Sequence, residues 1–167
     1  MQLNEFNQVS KDALKIVLKQ CVQIENWAEQ IEAQRPFADI GALLDFAKQQ
    51  TNSWSWQEVS LALANHPRIG EKKARAKLSE IEQTFSKNEQ AAIQQDENTQ
   101  TALLKGNLAY EKKFGHIFLI KAAGLNSEQV LQALNNRLLN DEDTERHIVK
   151  QQLGEIALLR LAQGVYE

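Results

Sequence analysis

Apolar residues recur along this chain at intervals of three and four, the period of one face of an α-helix. Ala13, Leu14, Val17, Leu18, Cys21 and Val22 make the first stripe, and Ser10 stands where a side chain can cap the helix. Trp27, Ala28 and Ile31 make a short second stripe, broken by Arg35-Pro36-Phe37. Asp39 is placed to cap a third, with Ile40, Leu43, Leu44 and Ala47 on one face. Ser55 and Glu58 have capping-box spacing, in which each side chain takes up the other's backbone N–H. Trp56, Val59, Ala62 and Leu63 follow, and Pro67 predicts the end of that helix at His66-Pro67.

Further on, residues 68–85 are charged and mixed, with Leu78, Ile81 and Phe85 as candidate anchors. Ser86-Lys87-Asn88-Glu89 reads as another capping box, hence as a helix start. A long helix is predicted over 97–113, with Leu103, Leu104, Leu108 and Tyr110 as candidate core and Gly115 suited to its stop. Phe118-Leu119-Ile120 is too short to assign by period, and both buried extended chain and a helix start stay open. Ser127 is expected to cap a helix bearing Val130, Leu131, Leu134 and Leu138, and a last helix spans 141–163. With no repeat, low-complexity tract or linker in view, the expectation is all-α: residues 1–167 as a single compact helical domain of roughly eight helices.

Composition narrows the function. The 167 residues are 43% hydrophobic and 25% charged, ordinary values for one globular domain. A net charge of −3 supplies no basic face for nucleic acid. Cys21 is the only cysteine, so neither an intramolecular disulfide nor a thiolate metal cluster is expected. Apolar runs are only a few residues long, against the roughly 20 that span a bilayer, so no membrane partner is expected. Met1 to Phe6 lack a basic region and a long apolar stretch, and Val165-Tyr166-Glu167 is no peroxisomal address. The expected location is cytoplasmic.

Candidate chemistry is sparse. Of the three histidines, His66, His116 and His147, no two share metal-ligand spacing, so no metal is expected. His66 is the best candidate for proton transfer, because imidazole titrates near neutral pH and Pro67 would hold it at a helix end. Taken alone, however, a histidine there more often interacts with helix carbonyls. Ser86 and Glu89 have a capping role as their plain reading, although Glu89 beside Gln90 could grip an N–H and a C=O of a planar heterocycle. Arg160 lies beside Leu153, Ile156, Ala157 and Gly164 on a helical stripe. An internal ion pair is the plain reading there, and an anion clamp is the sharper one. Asn107 and Tyr110 read as residues tying a loop to a helix, and Trp27, Trp54 and Trp56 as core or interface.

Together the segments resemble one family, the 2-oxo-4-hydroxy-4-carboxy-5-ureidoimidazoline (OHCU) decarboxylases of the ureide pathway. The resemblance is carried by Leu3-Asn4, Trp27, Arg35-Pro36-Phe37, His66-Pro67-Arg68-Ile69-Gly70, Ser86-x-x-Glu89-Gln90 and Asn107-x-x-Tyr110-x-x-Lys113-Phe114-Gly115. Phe118-Leu119-Ile120, Arg137-Leu138-x-Asn140 and Leu159-Arg160-Leu161 continue it nearly to the end of the chain. It implies an all-helical, cofactor-free homodimer that converts OHCU, formed from urate by oxidation and hydrolysis, to (S)-allantoin. It also implies His66 as proton donor, with Pro67, Ser86, Lys87, Asn88, Glu89, Gln90, Phe118, Leu119, Ile120, Lys121, Ala122 and Arg160 binding substrate. One departure stands out: many relatives carry Phe-Gly-Phe-Pro-Phe where this chain has Phe114-Gly115-His116-Ile117-Phe118, which makes His116 an additional candidate contact. A helical interaction module, an inactive relative, and a lyase or hydrolase for another ureido acid are the competing readings.

Overall fold

The structure, a computed structural model, describes residues 1–70, 79–94 and 96–167. Among these residues are nine α-helices: α1 (Leu3–Gln8), α2 (Lys11–Cys21), α3 (Glu25–Gln34), α4 (Ile40–Thr51), α5 (Trp56–Leu63), α6 (Glu80–Glu89), α7 (Glu97–Phe114), α8 (Ser127–Arg137) and α9 (Glu142–Gly164). A parallel bridge between Gln2 and Tyr166 is the extended pairing seen among them. The helices fall into two compact units, one of Met1–Ala62 with Leu153–Glu167, the other of Leu63–Gln152.

In the first unit, capping side chains set the starts of α2, α4 and α5, as the sequence implies. Ser10 Oγ accepts the Ala13 N–H at 3.3 Å, and Asp39 Oδ1 accepts that of Ala42 at 2.7 Å. Ser55 and Glu58 form their reciprocal pair at 3.2 and 2.8 Å. The six residues of α1 are too few to show a period, and neighbours hold them instead. Arg35 Nη1 donates to the Phe6 and Val9 carbonyls at 2.9 and 2.8 Å. Trp27 is fully buried, donates to the Ala47 carbonyl and meets Trp54 edge-on, so these two indoles are core; Trp56 is half-buried.

In the second unit, several expectations change. The Ser86 segment does not open a helix. The capping box is Ser79 with Glu82, and 86–89 form the last turn of α6, with Gln90 as its C-cap. Beyond Gln90 the backbone must leave the helix, because Ile93 is buried in the core and the Gln94 N–H bonds Ser127 Oγ at 2.7 Å. Ser127 is the first helical residue of α8, and Asn126, in a reciprocal box with Gln129, caps the helix in its place. On α7 the buried stripe is Leu103, Asn107 and Tyr110, whereas Leu104 and Leu108 are 59% and 58% exposed. Ile81 is also exposed, and Leu78 lies outside the described residues. Gly115 ends α7 in the left-handed conformation, φ 78°, as its position implies. Phe118-Leu119-Ile120 is non-helical, the buried extended option.

Candidate active site

His66 lies in the second unit, just past the end of α5. That helix stops at Leu63, three residues before the expected end, and the His66 N–H closes the final turn on the Leu63 carbonyl at 3.0 Å. His66 and Pro67 are both half-buried. The residues after them are fastened one by one. Arg68 Nε donates to both carboxylate oxygens of Glu111 at 3.0 Å. Ile69 is buried in the core, and its carbonyl accepts from Asn107 Nδ2 at 3.2 Å. Gly70 donates its N–H to Gln90 Oε1 at 2.8 Å. It does so at φ +78°, and a Cβ there would lie 2.9 Å from Leu103 Cδ1, so both backbone and space call for glycine. The proton-donor candidate thus sits on a short loop with three consecutive anchors.

The Gly70–Gln90 bond joins the His66 loop to the segment 86–90. Gln90 therefore holds backbone through its amide oxygen, a positioning task that the sequence did not reveal. Within the segment, Ser86 is buried, Lys87 and Asn88 are exposed, and Glu89 and Gln90 are half-buried. Glu89 stands in the last turn of α6. A carboxylate there faces the negative end of the helix dipole, so helix stability does not explain it.

Of the segment 118–122, Phe118, Leu119 and Ala122 are buried, and Ile120 and Lys121 keep partial exposure. Phe118 and Ala122 belong to the same core as Ile69 and Ile93. The backbone is tied at two points: Arg137 Nη1 donates to the Leu119 carbonyl at 2.6 Å, and the Lys121 N–H donates to Gln152 Oε1 at 2.8 Å. The Arg137 guanidinium also lies 4.5 Å from the centre of the Phe118 ring.

Arg137 is itself held by a buried carboxylate, which sequence reasoning missed. Glu145 is fully buried and accepts from Arg137 Nε, from Tyr110 Oη at 2.6 Å, and from Asn140 Nδ2 at 3.0 Å. Burial, and then the bond to Glu145, push the Tyr110 hydroxyl well above its usual pKa, so Tyr110 stays a donor. The signal available in the sequence was spacing: Glu145, Val149 and Gln152 share a helical face, on which Val149 is fully buried. His116 stands at the edge of this cluster, 5.5 Å from the Tyr110 ring centre, with Nδ1 3.0 Å from the Ile117 carbonyl oxygen.

Arg160 belongs to the first unit. It is 4% exposed, and its Nη1 lies 3.5 Å from the Cys21 carbonyl oxygen. Burial pushes the adjacent Cys21 thiol up to about 12, with Arg160 opposing, so at neutral pH it is a protonated thiol and not a nucleophile. Among the described residues no group of three His, Cys, Asp or Glu could hold a metal ion, and no helix is long and apolar enough to cross a membrane. A cavity of about 310 Å³ opens in the second unit between Arg68, Ile69 and Gly70 on one side and Gln100, Leu103 and Leu104 of α7 on the other.

The family model described as OHCU decarboxylase matches residues 7–162. The 2-oxo-4-hydroxy-4-carboxy-5-ureidoimidazoline decarboxylase of Haloferax volcanii is 25% identical, over 98% of this chain and 95% of its own. A uric acid degradation bifunctional protein of Arabidopsis thaliana is 30% identical over 87% of this chain, which spans only 45% of that longer protein. Among solved structures, a crystal structure of OHCU decarboxylase in the presence of (S)-allantoin superposes with a TM-score of 0.72 at 23% identity, covering 93% of this chain and 97% of its own. A crystal structure of (S)-allantoin synthase gives 0.69 at 17% identity, over 99% of this chain and 54% of its own. The all-helical fold is common to these structures, and with its family model matched over nearly the full length, this chain belongs to the OHCU decarboxylase family.

Proposed function

We propose that this chain decarboxylates OHCU to (S)-allantoin without a cofactor and that His66 supplies the proton. The observation that carries the assignment to His66 is the three-point fastening of its loop, through Glu111, Asn107 and Gln90. A general acid must meet one face of one carbon, so a preset loop has a catalytic use that a merely structural histidine would not need. In the reaction the bond between ring carbon and carboxylate breaks and CO₂ leaves. The electron pair spreads into the ring as an enolate-like or enamine-like species. His66 then delivers a proton to one face, and that face sets the stereochemistry. The substrate is its own electron sink, so the chain has to bind, orient and protonate. Pro67 and Ile120 supply apolar surface beside the reacting ring, and Glu89 and Gln90 supply hydrogen bonds to its edge. Arg160 is assigned to the substrate carboxylate on resemblance alone, and a homodimer in the cytoplasm completes the proposal on the same ground. The test is circular dichroism at an allantoin band with freshly generated OHCU. Faster appearance of one enantiomer with protein present is expected, and equal rates with and without it would remove the decarboxylase reading.

Two variants probe the binding residues. Because Glu89 lies at the unfavourable end of α6, Glu89→Gln should leave the melting temperature unchanged or raise it by the equivalent of about 0.3–1 kcal/mol, while turnover falls steeply. Parallel losses of stability and activity would return Glu89 to a structural role. Arg160→Met fills a similar volume beside Leu153, Ile156 and Ala157, so apparent affinity for OHCU should fall with the fold retained. Arg160→Lys should recover only part of the binding, because an ammonium cannot reproduce a planar two-donor grip. A strongly destabilised Arg160→Met whose folded fraction binds OHCU normally would show a structural residue.

A further inference from the structure

Arg137, the last residue of α8, and Gln152, in the middle of α9, hold consecutive peptide groups of one short segment. Arg137 donates to the Leu119 carbonyl, and Gln152 accepts the Lys121 N–H. A trans peptide group is planar, with its C=O and N–H pointing opposite ways. The cis bond among the described residues is Arg35–Pro36, so both groups here are trans. Holding the Leu119 carbonyl therefore turns the Ile120 N–H away from Arg137. Holding the Lys121 N–H turns the Ile120 carbonyl away from Gln152. Neither of these Ile120 groups is hydrogen-bonded to another described residue. A donor and an acceptor are thus kept in fixed directions on a half-buried residue between Phe118 and Ala122, both of which lie in the core.

We propose that Gln152 is a positioning residue for substrate binding: together with Arg137 it aims the Ile120 N–H and C=O at an amide or ureido edge of the ligand. The inference rests on the decarboxylase reading above for the identity of that ligand. Preset backbone groups bind without first paying the entropy of ordering, which is the gain such a clamp provides. Arg137 also neutralises Glu145, so its removal mixes two effects. Gln152 is the cleaner probe, since its side chain is half-buried in mid-helix, where methionine has a similar helix propensity.

The experiment compares Gln152→Met, which removes the acceptor, with Gln152→Glu, which keeps a carbonyl-type oxygen at the same reach. Steady-state kinetics on freshly generated OHCU are read beside melting temperature and hydrogen exchange at the Lys121 amide. Gln152→Met should raise KM about tenfold, what one well-placed hydrogen bond is worth, with kcat held within about twofold and the melting temperature lowered by no more than a few degrees. Its Lys121 amide should exchange faster. Gln152→Glu should restore both KM and amide protection. Should the methionine variant fold poorly, Gln152→Asn, one methylene short, carries the same expectation. A wild-type KM in a variant whose Lys121 amide has been released overturns the positioning role and leaves the decarboxylase reading standing. So does a loss of stability with KM unchanged in the folded fraction. Wild-type protein that forms no allantoin overturns both.

Discussion

Replacing His66 by asparagine should lower turnover by roughly 100- to 10,000-fold, the range for loss of a positioned general acid, with little change in melting temperature. The stability half of this expectation comes from the loop. Its anchors are the Arg68–Glu111 pair, the Ile69 carbonyl on Asn107 and the Gly70 N–H on Gln90, and the substitution keeps all three. The kinetic half comes from chemistry, since asparagine is similar in shape to imidazole but cannot release a proton near neutral pH. Loss of the carbon acid step leaves protonation to water, which can reach either face. The residual product should therefore lose enantiomeric purity along with rate. Chiral analysis of allantoin formed in the first seconds, before spontaneous decay of substrate dominates, checks this. Near-wild-type turnover, or a slow reaction that stays fully stereospecific, would take His66 out of the proton-transfer step.

Glu145→Gln should be the most destabilising of the substitutions considered. It removes the only charge facing the buried Arg137 guanidinium among the ion pairs of the described residues, and orphaning a buried charge costs about 3–5 kcal/mol. For a chain of this size that corresponds to a melting temperature lower by about 6–20 °C. Glutamine with its oxygen in the Oε1 place can still accept from Tyr110 and Arg137, but its amide N–H₂ then meets the Asn140 donor. The diagnostic comparison is the double variant Arg137→Met with Glu145→Met. Removing both charges leaves neither orphaned, so the pair should cost clearly less than the sum of the single changes, by a coupling of about 0.5–3 kcal/mol. Thermal melts of the single and double variants decide it, and strict additivity would mean that the two side chains do not depend on one another.

Helix starts were legible wherever one capping residue stood alone. Ser10 and Asp39 each accept the N–H three residues on, and the elements that they open lie close to where their patterns put them, whereas the Asp96 cap of α7 was not singled out. Legibility failed where local signals tied. Ser79-x-x-Glu82 and Ser86-x-x-Glu89 offer the same box seven residues apart, and only tertiary structure chooses between them. Burying Ile93 needs a non-helical chain beyond Gln90, and Asn126, one residue before Ser127, takes the cap of α8. On α7 the obstacle was a polar core residue. Asn107 faces inward because the His66 loop needs a donor there, which leaves Leu104 and Leu108 outside despite their apolarity. The site residues were legible mainly through resemblance. His66, Glu89 and Arg160 each have a common structural explanation when taken singly, and Gln152 and Glu145 carry no motif because their partners are backbone or distant in sequence.

Cys21 gives the protein a built-in reporter. It is the chain's only cysteine, is 3% exposed, and carries a thiol that burial keeps protonated. A disulfide reagent needs an accessible thiolate, so it can react only while α2 has opened and released the side chain to water. The colour released by an aromatic disulfide therefore times opening at this one position of the first unit, without label or engineered site. When opening and closing are fast compared with modification, the slowing relative to a free thiol converts directly into an opening free energy. Added allantoin or substrate analogue would lengthen that time only to the extent that ligand binding and the opening of α2 exclude one another.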